Sequence, residues 1–174
     1  VGQTEFFSTV VTFGEAARLI QYVEDIDVWT PETPSELKLQ RKLNTTRVEK
    51  EMVPYLIGAD DRFYSALTVE IRSALTDKGP KPVNFEPVEG IPGGVEYGKL
   101  TLDGTESLYA LDGQHRLKSI ELAIREKPDL ASDHIAIILV PHVNIEQSQT
   151  LFSDLNRYAR NPSRSISLLF AHRD

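Results

Sequence analysis

Six consecutive apolar residues, Ile135 to Val140, stand between His134 and Pro141. An unbroken run of that length reads as a buried strand, covered on both faces. The cover has to come from helices or a second sheet, so the run demands a layered domain. Just upstream, residues 114–126 place Leu117, Ile120, Ala123 and Ile124 on one side of a helix. Before that helix, Glu106 to Leu111 reads as a strand. Strand, helix and strand together predict a βαβ unit with a right-handed crossover.

The remaining elements surround that unit. Phe6 to Phe13 is β-branched and aromatic and reads as a strand, with a short helix over Gly14 to Glu24. Trp29 to Pro34 is a turn, and Ser35 caps a helix through Lys42. Thr45 or Thr46 opens another helix, in which Pro54 predicts a kink or a break. Tyr64 to Arg72 alternates as a strand. Residues 73–94, rich in Pro and Gly, read as a long mobile loop. Gly98 to Leu102 then predicts a hairpin with 106–111 across Asp103-Gly104. Asn144, with Gln147 three residues on, caps a helix to about Ala159. The expected class is α+β, a mixed sheet with flanking helices, in one domain spanning 1–174. The ending at His172-Arg173-Asp174, soon after Leu168-Leu169, reads as the cut edge of an N-terminal piece of a longer protein.

Composition removes whole classes of chemistry. Cys is absent, which excludes disulfides, thiolate zinc sites and a cysteine nucleophile. No zinc, haem or flavin is expected. No apolar run is long enough to span a bilayer, and no signal peptide is visible, so the expected compartment is the cytoplasm. Lys plus Arg total 19 against 26 Asp plus Glu, a net charge of -7. That argues against a uniformly basic nucleic-acid surface, though not against a local one.

The chemistry concentrates at Asp112-Gly113-Gln114-His115-Arg116, where a strand turns into a helix. Asp112 suits an N-cap, and Gly113 allows a ligand close to the backbone. The first-turn amides and the helix dipole favour an anion. Arg116 suits a forked phosphate contact, and His115 a donor or proton shuttle. Asp112 would oppose a phosphate unless Mg²⁺ accompanies it, in which case it is a metal ligand. Turn chemistry alone explains Asp and Gly, but not three polar side chains crowding the first turn.

Elsewhere the signals are weaker. Gly93 to Lys99 matches phosphate-loop spacing, but Leu100 replaces the Ser or Thr that holds magnesium, and a strand follows. His134, His142 and His172 lack metal-ligand spacing. Basic residues gather at 38–50, with Lys38, Arg41, Lys42, Arg47 and Lys50, and at 156–173, with Arg157, Arg160, Arg164 and Arg173. A solvated face is the usual reading of such clusters. Arginines without lysine in the second suit phosphate contacts.

The Asp-Gly-Gln-His-Arg pentapeptide resembles the DGQHR-domain proteins, and among them the DndB family, regulators tied to bacterial DNA phosphorothioation. Gln40 to Asn44 with Arg47-Val48, Phe63 to Ile71, and Phe152 to Asn156 with Pro162-Ser163 resemble the family's other blocks. The resemblance covers nearly the whole chain. It implies a core similar to ParB and sulfiredoxin, in which a loop at a helix start holds nucleotide phosphates. Gly113, Gln114, His115 and Arg116 would then occupy that loop. Gln114 stands where sulfiredoxin has its reactive cysteine, which excludes sulfinic-acid reduction. Gln40 and Arg41 resemble a Gln-Arg element of related NTPase domains and are second-tier nucleotide contacts, with Asn156 a further candidate.

The resemblance therefore implies a transcriptional repressor of the phosphorothioate-modification operon. It would bind promoter DNA through Arg157, Arg160, Arg164 and Arg47, with ATP or another nucleotide and Mg²⁺ at the turn. Other phosphorothioation proteins and a second copy in a homodimer are the further expected partners. One alternative is an NTPase using Asp112, Gln114, His115 and Arg116. Another is a non-catalytic docking subunit.

Overall fold

The computed structural model describes residues 4–22, 43–76, 79–88 and 96–157. Its centre is a five-stranded mixed sheet in the order β1-β9-β3-β8-β2. The strands are β1 (Phe7–Thr12), β2 (Ile20–Tyr22), β3 (Leu67–Arg72), β8 (Ser107–Asp112) and β9 (His134–Pro141). Two short pairs lie outside it, β4 (Leu75–Thr76) with β5 (Gly79–Pro80) and β6 (Asn84–Pro87) with β7 (Gly98–Thr101). The expected α+β class, a mixed sheet with flanking helices, is what the chain adopts.

One face of the sheet carries most of the core. Leu67, Val69 and Ile71 of β3 point there with Ile135, Ile137 and Leu139 of β9. They pack on α1 (Phe13–Leu19) and α4 (Gln114–Glu126), from which Leu117, Ile120 and Ala123 are buried. Thr12 caps α1, and the Glu15 carboxylate returns the bond to the Thr12 amide at 2.8 Å. Hydrogen bonds from the Thr12 amide and hydroxyl hold the Glu15 carboxyl below its ordinary range.

The opposite face carries a smaller cluster, in which Phe152 of α5 (Ile145–Arg157) packs on Leu111. On that face Ala136 of β9 and Val10 of β1 are exposed. The six-residue apolar run is thus fully covered on one side and, among the described residues, only partly on the other.

Four expectations are corrected. Strand β3 lies between β8 and β9, antiparallel to one and parallel to the other. Strands 106–111 and 135–140 are therefore antiparallel and not adjacent, and no parallel crossover forms. The reason is burial: five of the six β3 residues are buried, a demand only a central position meets. Second, the helix expected to Glu24 stops at Leu19, and Ile20–Tyr22 forms an edge strand parallel to β8. Third, β7 pairs with β6 and not with β8, although Gly104 does make the expected turn at φ +91. Asp103 explains the divergence: it binds Thr105 and Lys81, which turns the chain away before β8 begins. Fourth, short strands occupy parts of the segment read as one loop, at 75–76, 79–80 and 84–87.

The expected irregularity at Pro54 takes the form of a break in the α-helical hydrogen-bond pattern. α2 (Thr45–Arg47) widens into a π-turn over Val48–Met52 before α3 (Val53–Gly58) begins. The Val53 amide reaches back to Val48 O, a five-residue step. Widening at that point accommodates a ring that would otherwise strike the preceding turn. The proposed helix over 35–42 lies outside the described residues.

Candidate functional site: the turn from Asp112 to Arg116

The turn is built by a bulge and a left-handed glycine. Thr68 opposes Asp112 while Val69 opposes Ala110, so Leu111 is the extra residue on β8. Such a bulge re-aims the strand end. Gly113 follows at φ +93 and hands the chain to α4. Only glycine tolerates this: an added Cβ would lie 2.4 Å from Leu67 Cδ2. The glycine therefore serves packing and turn geometry together.

Gly113, not Asp112, occupies the N-cap, and no side chain caps the first turn of α4. Asp112 sits at the end of β8, with its Oδ2 accepting from Arg116 Nη2 at 2.6 Å. A carboxylate on a strand end beyond a bulge points along the helix and not at its first amides, so it pairs one turn further on. Arg116 Nη1 also donates to the carbonyls of Ser65 and Ala66, each at 2.7 Å, and to the Ser65 hydroxyl. Its guanidinium thus braces the approach to β3 against the start of α4.

Gln114 is buried, and its amide donates back to Ala110 O at 3.2 Å. His115 reaches the other way. Its Nε2 accepts from the Asn44 amide at 3.0 Å, which places the ring proton on Nδ1. Asn44 also caps α2, accepting from the Arg47 amide at 3.0 Å. The turn is thereby joined to the start of the helical segment 45–58. Arg47 itself is largely exposed and lies 3.6 Å from Glu51.

The structure therefore gathers Asp112, Gly113, Gln114, His115, Arg116 and Arg47 at one end of the sheet. Gln40, Arg41, Arg160 and Arg164 lie outside the described residues. Asn156 and Arg157 close α5. That helix begins where Ser148 meets Glu70 and passes Leu111 at Phe152. Its direction carries its last turn toward the end of the sheet that holds the Asp112 turn.

Sequence reasoning missed a second polar cluster under α5. Glu70, almost fully buried on β3, accepts from Arg72 Nε at 2.6 Å and from the Ser148 hydroxyl, and its Oε1 meets His142 Nδ1 at 3.0 Å. Burial pushes the Glu70 carboxyl up, but the bonds from Ser148, Arg72 and His142 outweigh it and hold the group below its ordinary range. Arg72 also lies over the Tyr109 ring at 5.3 Å. In the alternating strand 67–72 Glu70 falls with Thr68 and Arg72 on the polar face, so local pattern carried no signal that α5 would bury it.

Nucleotide and Mg²⁺ set different demands on the turn. Uncapped first-turn amides fit a phosphate oxygen. Among the described residues no three His, Asp or Glu side chains converge as a metal-ligand group. Asp112 would supply one carboxylate oxygen, and phosphates would have to supply others, which is the usual manner of Mg²⁺.

The fold and this turn define an α+β domain with an anion-suited helix start. Over residues 1–174 the chain matches the model of the DndB family, described as DNA-sulfur modification-associated. It belongs to that family. No curated protein and no solved structure matches the chain. Among the described residues no helix is long and apolar enough to cross a membrane.

Proposed function

We propose that this chain is a DNA-binding transcriptional repressor of a DNA phosphorothioate-modification operon, and that its Asp112–Arg116 turn receives the phosphates of a nucleotide. The observation that carries the reading is the left-handed turn at Gly113, which opens α4 without a side-chain cap in a member of a DNA-sulfur modification-associated family. First-turn amides and His115 would meet the phosphate. Arg116 would hold the turn's shape, since its Nη1 and Nη2 bond Ser65, Ala66 and Asp112. The His115–Asn44 contact gives a route from the nucleotide to Arg47. Nucleotide and DNA would be linked only to the extent that the nucleotide favours one arrangement of this contact.

The test is a titration of labelled duplex from the operon's promoter at two salt concentrations, with and without ATP and Mg²⁺. Binding through several phosphate contacts should weaken about a hundredfold or more between 50 and 200 mM salt. Nucleotide should shift the affinity in wild type and not in His115→Ala. Absence of binding at low salt by the full-length protein defeats the repressor reading. Phosphate release from ATP that Asp112→Asn abolishes would instead support the NTPase reading, with Asp112 holding Mg²⁺.

A further inference from the structure

The sheet ends in two edge strands, β1 and β2. Among the described residues β1 pairs on one side alone, with β9. Edge strands are ordinarily guarded against further pairing by a charge, a proline, a bulge or shortness. Strand β1 has none of these. Residues 6–13 carry no charge and no proline. The six pairs with β9 run without a register shift. Ser8, Thr9 and Val10 are exposed, Val10 to 60%.

A cavity of about 860 Å³ adjoins this strand, between β1, α1 and the β6–β7 hairpin. Phe7 and Phe85 meet in its wall with ring centroids 5.2 Å apart. Phe6, Leu19, Tyr97 and Leu102, all exposed, also line it. Nearly half of the large apolar side chains exposed among the described residues thus collect at one concave place, which marks an interaction site. The charged residues lining it are Glu5, Glu15 and Glu96, with no Lys or Arg. Glu15 is held by Thr12, which leaves Glu5 and Glu96 as exposed carboxylates.

We propose that β1 accepts an extended basic segment of a partner protein as a sixth strand of the sheet. Main-chain hydrogen bonds to the outer edge of β1 would supply the pairing. The two-residue period of a strand puts alternate side chains on the cavity side, so an apolar residue of the segment enters the cavity. Lysine or arginine flanking that residue meets Glu5 and Glu96. A second copy of this chain fits less well, because it would bring two acidic rims together.

The test uses the 174-residue chain and a fluorescein-labelled peptide with blocked ends, Val-Lys-Thr-Phe-Thr-Lys-Val, in which both lysines share the face of the phenylalanine. Its controls are the same peptide with Glu for Lys and one with Pro for both Thr. The basic peptide should bind saturably, the acidic one about tenfold more weakly at low salt, and the proline form not at all. Amide exchange of residues 7–12 should slow in the complex. Val10→Lys should weaken binding and Val10→Glu strengthen it, since this exposed position flanks the pairing edge. Leu100→Trp, which narrows the cavity, should weaken binding while the protein melts as a folded domain. Equal binding of acidic and basic peptides, or no binding of either, overturns the proposal. So does a wild-type dimer in sedimentation that Val10→Lys dissociates, which would assign β1 to an interface between copies.

Discussion

Arg116 folds back onto Asp112, Nη2 to Oδ2 at 2.6 Å, and closes the turn from its two ends. The same guanidinium ties down the carbonyls of Ser65 and Ala66. The residue expected to fork a phosphate thus also braces the turn. The pairing also explains how Asp112 is tolerated beside a helix start that favours anions: its charge is matched by a cation one turn away.

Arg116→Ala should therefore unfold more readily. It leaves two backbone carbonyls and a carboxylate without their charged donor, a loss of about 2–4 kcal/mol. Urea unfolding checks this. Arg116→Lys should recover only part of it, because one ammonium cannot span Asp112 and both carbonyls. An Arg116→Ala variant as stable as wild type would return the guanidinium to a purely ligand-facing role.

Gly113→Ala should cost about 2 kcal/mol or more, since it meets positive φ and Leu67 at once. Combining it with Leu67→Ala separates the two causes. If the steric contact dominates, the double variant loses less than the sum of the single losses. If backbone strain dominates, the losses add. Thermal melts of the three variants decide between them.

Local pattern carried much of this architecture. Helix 114–126 and strand 135–140 were legible because each has a period or a run long enough to exclude alternatives. Ile20–Tyr22 was not legible, because three residues continue the apolar spacing of the helix before them. The place of β3 between β8 and β9 depends on pairings far apart in sequence, which local pattern does not encode. In the turn, residue types pointed toward an anion, but did not show that Arg116 Nη1 would bond Ser65 and Ala66. That choice depends on where a segment some fifty residues away comes to rest. Glu70 was passed over for a similar reason: its partners Ser148 and His142 arrive from the far side of β9.

Phe152 is the main apolar tie between α5 and the sheet, packed on Leu111 beside Tyr109. Phe152→Ala should loosen α5 by about 3 kcal/mol. The loss should be local, because the cluster is separate from the main core. Amide exchange within 145–157 should accelerate while that of α4 stays near wild type. Uniform acceleration in both helices would show that the two faces of the sheet unfold as one unit.

Acid should loosen the same helix through Glu70. Burial pushes its carboxyl up, but donors from Ser148, Arg72 and His142 outweigh that and hold it below the ordinary carboxylate range. A depressed folded-state pKa means that the unfolded chain binds the proton more tightly. The group's contribution to stability is therefore complete above its unfolded value and is lost as pH falls through the folded one. Glu70→Gln removes that dependence. At neutral pH the variant should be less stable by about 3 kcal/mol, since Arg72 loses its buried partner. As pH is lowered below the ordinary carboxylate range, wild type should fall toward the variant and the gap should narrow. Urea unfolding of both proteins across that range measures the gap, and a gap that stays constant or widens on acidification would overturn the assignment of an ionised Glu70.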